Sequence, residues 1–185
     1  MKRIVVKAHE EKIISLLWIG KETELSYDIR LAGRGASVKF LGLLLGKQQQ
    51  SLALKVLVTH QAPETKSEVV IKSTLTDSAK VDISGLVKIE PGAVGTNAWL
   101  AAHLLLLSEK AKGVAIPSLE ILENDIKAGH ATTVGRLNDI ELFYLMSRGL
   151  SRQTAKHLVV QGFLQSMIDQ FPPVLAKKAG KEISL

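Results

Sequence analysis

The chain has 185 residues, 46% of them hydrophobic but only 4% aromatic, and a formal charge of +6 from 24 Lys and Arg against 18 Asp and Glu. That length suits one main core, built mostly from Val, Ile, Leu and Ala, with room for a small appended subdomain. With no cysteine in the sequence, disulfides, thiolate metal sites and a cysteine nucleophile supplied by this chain are excluded, and a reducing compartment is compatible.

Charges interrupt residues 1–12 where a signal peptide needs an unbroken apolar region, and the longest apolar runs, such as residues 104–107, are far too short to cross a bilayer. The expectation is a cytoplasmic protein with no membrane partner. The basic excess lies in residues 1–60, with ten Lys and Arg against five Asp and Glu. These charges alternate with apolar residues as solvated strand faces do, and no aromatic stacking platform is interleaved with them, so no nucleic-acid partner is expected.

In chain order, apolar runs recur near Val5, up to Ile19, around Tyr27, and up to Leu45, Val58, Leu75 and Ile89. They are Leu-rich and β-branched, with polar or Gly separators, which is the signature of strands. Few carry an Asn-Gly or Asp-Gly hairpin signal. The pattern fits either a sandwich with irregular loops or a β-solenoid, and periodicity alone does not choose between them. A polar corner follows at residues 60–67, where Pro63 biases Ala62 away from helix and Thr65 and Ser67 can bond local backbone. His60 reads there as a structural histidine. The run at residues 98–107 could form a helix on local propensity.

From Asn138 the pattern becomes helical. Asn138 is a good N-cap, Asp139 and Glu141 suit the positive end of the helix dipole, and Gly149 stands where a left-handed C-terminal residue belongs. The expected apolar stripe is Leu142, Phe143, Leu145 and Met146. Ser151 caps a second helix, whose expected face is Ala155, Leu158, Val159, Gly162, Phe163 and Met167, until Pro172 and Pro173 stop it. The two helices form an αα-hairpin, followed by a tail that is either a short helix or a frayed, solvated end.

Several of these residues resemble the SufB/SufD family of iron–sulfur cluster assembly proteins. His60, Pro63, Thr65 and Ser67 resemble its H-x-x-P-x-T-x-S element, and Leu105, Leu106, Leu107 and Ser108 its L-L-L-S. Pro117, Leu119, Glu120 and Ile121, then Asp125, Ile126, Lys127, His130, Ala131, Thr132 and Gly135, resemble its P-x-L-E-I…D-D-V-K-C-x-H-G-A-T-x-G core. Leu142, Phe143, Tyr144 and Leu145, then Ser147, Arg148 and Gly149, resemble L-F-Y-L-x-S-R-G. The elements keep the family's order across roughly residues 55 to 170; before residue 50 only strand texture is similar, and the chain is short for the family.

The resemblance implies a mainly β fold, a right-handed parallel β-helix over residues 1–136, followed by a small helical subdomain over residues 137–185; it also places the run at 98–107 among the strands. It implies a SufC-type ATPase partner docked through Leu142, Phe143, Tyr144, Ser147 and Arg148. It further implies pairing through the β-helix with a SufB-like paralogue or with a second copy. The family cysteine corresponds to Ala128 and the family histidine to His130, and Asn124 replaces one of its paired acids, leaving Glu123 and Asp125. Alanine cannot ligate metal and one imidazole cannot hold a cluster, so this chain alone is expected to bind no cofactor. A transient iron–sulfur cluster with His130 as an iron or cluster ligand would need ligands from a partner. The expected function is a non-catalytic, SufD-like scaffold subunit of cluster assembly; the alternative is a repurposed, self-associating β-helix scaffold with no cluster role. A β-helical enzyme has little support, because no spacing pairs Glu120, Glu123 or Asp125 for acid–base work and no Gly-rich phosphate loop is present.

Overall fold

A computed structural model of the chain describes residues 1–183. Ten strands come first: β1 (Lys2–Val6), β2 (Glu11–Trp18), β3 (Glu24–Leu31), β4 (Ser37–Gly46), β5 (Ser51–His60), β6 (Lys66–Leu75), β7 (Lys80–Ile89), β8 (Thr96–Leu106), β9 (Lys112–Ile121) and β10 (Ile126–Arg136). Three helices follow: α1 (Asp139–Ser147), α2 (Arg152–Ile168) and α3 (Pro173–Ile183).

Odd strands form one sheet in the order β1-β3-β5-β7-β9 and even strands form another in the order β2-β4-β6-β8-β10, every pairing parallel. The chain therefore winds through one sheet and then the other, coil after coil, which is a parallel β-helix and resolves the choice between sandwich and solenoid. Equivalent positions stack in register. Ile29, Val58, Val87 and Leu119 form one interior column, and Leu25, Leu54, Ile83 and Ala115 another. The corners are laddered too: His9 N–H donates to Arg34 O at 2.9 Å, Gly35 to Pro63 at 3.1 Å, Glu64 to Val94 at 2.7 Å and Gly95 to Asp125 at 2.7 Å.

The interior between the sheets is aliphatic. Gly85 is needed for it: a Cβ there would lie 2.6 Å from Leu100 Cδ1, so Leu100 reaches across only because residue 85 has no side chain. The segment at 98–107 is strand despite its local helix propensity, because β8 is held between β6 and β10 by two parallel ladders.

The two sheets differ outside. Along β5 buried and more exposed residues alternate, as expected where one face meets solvent. From Phe40 onward β4 is buried on both faces, because Leu41, Leu43 and Leu45 point outward into a second core with Val160, Leu164, Met167, Ile168, Phe171 and Ala179 of the helical region. The helices thus lie on the outer face of the even sheet. Lys72 Nζ reinforces the contact by donating to Phe163 O and, at 2.9 Å, to Ser166 Oγ.

Asn138 and Ser151 cap α1 and α2 as their sequence positions suggest, accepting from Ile140 N at 2.9 Å and Thr154 N at 3.1 Å. Gly149 ends the α1 turn at φ 91°. The buried face of α2 differs from the expected one. Ala155 and Met167 are buried, but Val160, Leu164 and Ile168 complete the face while Leu158 is 48% exposed and Gly162 is exposed. The helix is apolar on more than one side, and the position of the β4 leucines decides which side is covered. The tail after Pro172 is helical, with Pro173 in its first turn and Ala179 buried.

His60 is fully buried at the corner between β5 and β6. Its Nδ1 lies 2.8 Å from Thr65 Oγ1 and its Nε2 2.8 Å from Ser67 Oγ. Thr96 gives its proton to Ala93 O at 2.7 Å, and the single Thr65 proton serves Ala62 O at 3.1 Å or Thr96 Oγ1 at 3.0 Å. One ring nitrogen donates and the other accepts, so the neutral imidazole satisfies both contacts. The histidine is a neutral brace within its own corner, joined to the next coil through Thr65 and Thr96, and burial pushes its pKa down to about 4.

Two measurements test this packing. Leu164→Ala should cost about 3 kcal/mol in urea unfolding, whereas Leu158→Ala should stay within about 0.5 kcal/mol; equal costs would contradict the observed α2 face. Because folding lowers the His60 pKa, the unfolded chain binds a proton that the folded chain does not between pH 6.5 and about 4. Stability should therefore be flat with respect to this group above pH 6.5 and fall by about 3 kcal/mol across that window, and His60→Gln should flatten this part of the pH–stability profile.

Candidate functional site

The sequence candidates fall on two elements, β10 and α1. Among the described residues β10 is the last even strand and pairs only with β8, so its other edge presents unpaired backbone groups. Ala128 is in register with Ala98 and packs against the interior, and His130 is in register with Leu100. Leu100 is 1% exposed, yet His130 is exposed, since among the described residues no further coil stacks over the last one. Among the described residues the His130 ring has no hydrogen-bond partner, which leaves both nitrogens available to an outside ligand.

Residues beside it stiffen this edge. A Cβ on Gly129 would lie 2.5 Å from Trp99 Cζ3, so the Trp99 ring occupies the space over Gly129 and braces the middle of β10 from its neighbour. Thr133 Oγ1 lies 2.9 Å from His103 Nδ1. Neither Trp99 nor His103 stands out in the sequence, because their relation to β10 exists only through the register between strands.

The acidic candidates are used locally. Glu123 accepts from Gly92 N at 2.9 Å and from Asn124 N at 2.8 Å, and these backbone donors, Asn124 first, hold its carboxyl below the usual carboxylate range. Glu120 is 2.8 Å from Lys88 Nζ. Among the described residues no three His, Asp or Glu side chains come together as a metal-holding group. The donor set therefore does not fit a cluster held by this chain alone, and a cluster could only be cargo completed by ligands from elsewhere.

On α1, Leu142 alone is buried, packing the helix down. Ile140 is 77% exposed, Phe143 73%, Tyr144 56% and Met146 40%. Ser147 Oγ donates to Tyr144 O at 2.7 Å, and the Arg148 guanidinium sits 5.3 Å from the Tyr144 ring centroid. Four of the five expected docking residues thus stand at the surface and Leu142 anchors them; Ile140 and Met146 extend the apolar face beyond what the motif indicated. No helix among the described residues is long and apolar enough to cross a membrane.

The family described as "SUF system FeS cluster assembly, SufBD core domain" matches residues 4–163. The iron–sulfur cluster assembly protein SufD of Bacillus subtilis is 38% identical over 136 residues, covering 74% of this chain and 31% of that protein. A SufBD family protein of Mycobacterium leprae is 35% identical over 159 residues, covering 82% and 41%. One from Mycobacterium tuberculosis is 34% identical over 179 residues, covering 92% and 43%. The chain spans less than half the length of these curated relatives. With a parallel β-helix, the helical region packed on its outer face and a family match across most of its length, the chain belongs to the SufBD family of iron–sulfur cluster assembly proteins.

Proposed function

We propose that this chain acts in iron–sulfur cluster assembly as a SufD-like, non-catalytic subunit that docks a SufC-type ATPase through α1 and offers His130 at an edge shared with a second β-helix. The observation that carries the reading is α1 itself. Exposing Ile140, Phe143, Tyr144 and Met146 on one short helix leaves apolar and aromatic surface of the kind that anchors protein interfaces. Arg148 and Ser147 supply a polar rim beside it.

The β10 edge supports the second half of the reading. A free parallel edge can accept a strand from another chain, and His130 lies on that strand with its ring unpartnered. The partner would be a SufB-like paralogue or another copy, and it would have to bring the thiolates that Ala128 does not supply. ATP hydrolysis belongs to the docked ATPase, and the assembly works in the cytoplasm. Ala128 favours the alternative of a self-associating β-helix with no cluster role, and the two readings part on whether an ATPase is recovered with the chain.

Phe143→Asp should abolish co-purification of a SufC-type ATPase while leaving the melting temperature close to that of the parent; retained binding by the folded variant would refute the docking face. In a reconstituted complex, His130→Ala should reduce iron and cluster retention, measured by iron content and visible absorbance, without lowering the melting temperature. Unchanged retention would make His130 structural.

A further inference from the structure

A cavity of about 500 Å³ opens between the first turns of α2, the end of α3 and the ends of β4 and β6 on the outer face of the even sheet. It lies apart from both β10 and the exposed face of α1. Its floor is apolar, formed by Leu45, Leu107 and Val160. Its walls carry Lys47, Lys156, Thr74 and Thr154 together with the Glu182 carboxylate.

The charges in it are unequal. Lys47 Nζ is paired with Glu182 Oε2 at 3.2 Å. Lys156 Nζ donates to Leu107 O at 3.1 Å and, among the described residues, has no carboxylate partner. The first turn of α2, a 17-residue helix, carries no acidic residue, so nothing offsets the positive end of its dipole. Ser151 Oγ accepts from Thr154 N, and the other first-turn amides have no acceptor within the helix.

A second observation points to a ligand. Thr74 lines the cavity with only 7% of its surface exposed, and its hydroxyl has no hydrogen-bond partner among the described residues. That hydroxyl lies on the lining of the same space as the Lys156 side chain and the start of α2. The lining thus sets Lys156, Thr74 and the start of α2 around an apolar floor. A phosphate has enough terminal oxygens to meet all three, whereas a carboxylate has two.

We propose that this cavity binds a small organic phosphate, with its head group between Lys156, Thr74 and the start of α2 and a short apolar body against Leu45, Leu107 and Val160. Such a ligand would tie the start of α2 to the even sheet, because its contacts come from both.

The test is isothermal titration of the full chain with hexyl phosphate, with hexanoate and hexanol as comparisons. Saturable binding of hexyl phosphate is expected, weakened about tenfold by Thr74→Val and by Lys156→Gln. Both variants should melt near the parent temperature, and Lys110→Gln, at an exposed turn outside the cavity, should bind as the parent does. No saturable heat with hexyl phosphate, equal affinity for hexanoate, or unchanged binding in both cavity variants would overturn the assignment.

Discussion

Each coil of this protein depends on the coil beneath it for backbone hydrogen bonds. Parallel strands have no hairpin to satisfy them locally, so β5 has partners only because β3 and β7 lie on either side of it in register. The register also fixes what each side chain touches. Since side chains alternate in and out along a strand, a slip of one residue would carry the column of Ile29, Val58, Val87 and Leu119 out of the interior. The corner ladder and the His60 brace oppose such a slip: His60 Nδ1 lies 2.8 Å from Thr65 Oγ1, which lies 3.0 Å from Thr96 Oγ1 of the next corner.

From this stacking the rest of the molecule follows. A β-helix has two sheet faces to cover or solvate, and the leucines at 41, 43 and 45 make the outer face of the even sheet one that must be covered. Helices α2 and α3 do so, with Lys72 fastening α2 through its last-turn acceptors. Burial lowers the Lys72 pKa, so its ammonium is a satisfied but partly desolvated link across the seam. The cavity at that seam lies between the start of α2, the end of α3 and the ends of β4 and β6.

The stacking must also stop somewhere, and the candidate site residues lie where it stops. β10 pairs with β8 in register, but with no coil above it among the described residues the position that buries Leu100 exposes His130. The same logic applies to α1, which is anchored by Leu142 alone and turns its remaining apolar residues outward. A chain belonging to a cluster assembly family thus presents two kinds of open surface, an unpaired strand edge and an unpartnered helix face. Its interior supplies neither thiolates nor a group of metal ligands among the described residues.

Some of this was legible in the residues themselves. Periodicity and separators marked the strands through Ile89, and Asn138, Gly149 and Ser151 marked the helix ends, because capping and turn chemistry act within a few residues. The H-x-x-P-x-T-x-S corner and the residues around His130 carried the family resemblance, and through it the β-helix that alternation alone could not distinguish from a sandwich. Only the tertiary structure decided that residues 98–107 are strand, that α2 buries Val160 and Leu164 rather than Leu158, and that Trp99 braces Gly129. Those outcomes depend on partners 25 or more positions away, and local sequence carries no record of which face a distant strand will offer. The exposure of His130 was decided in the same way, by the absence of a coil above it among the described residues rather than by its own neighbours in the sequence.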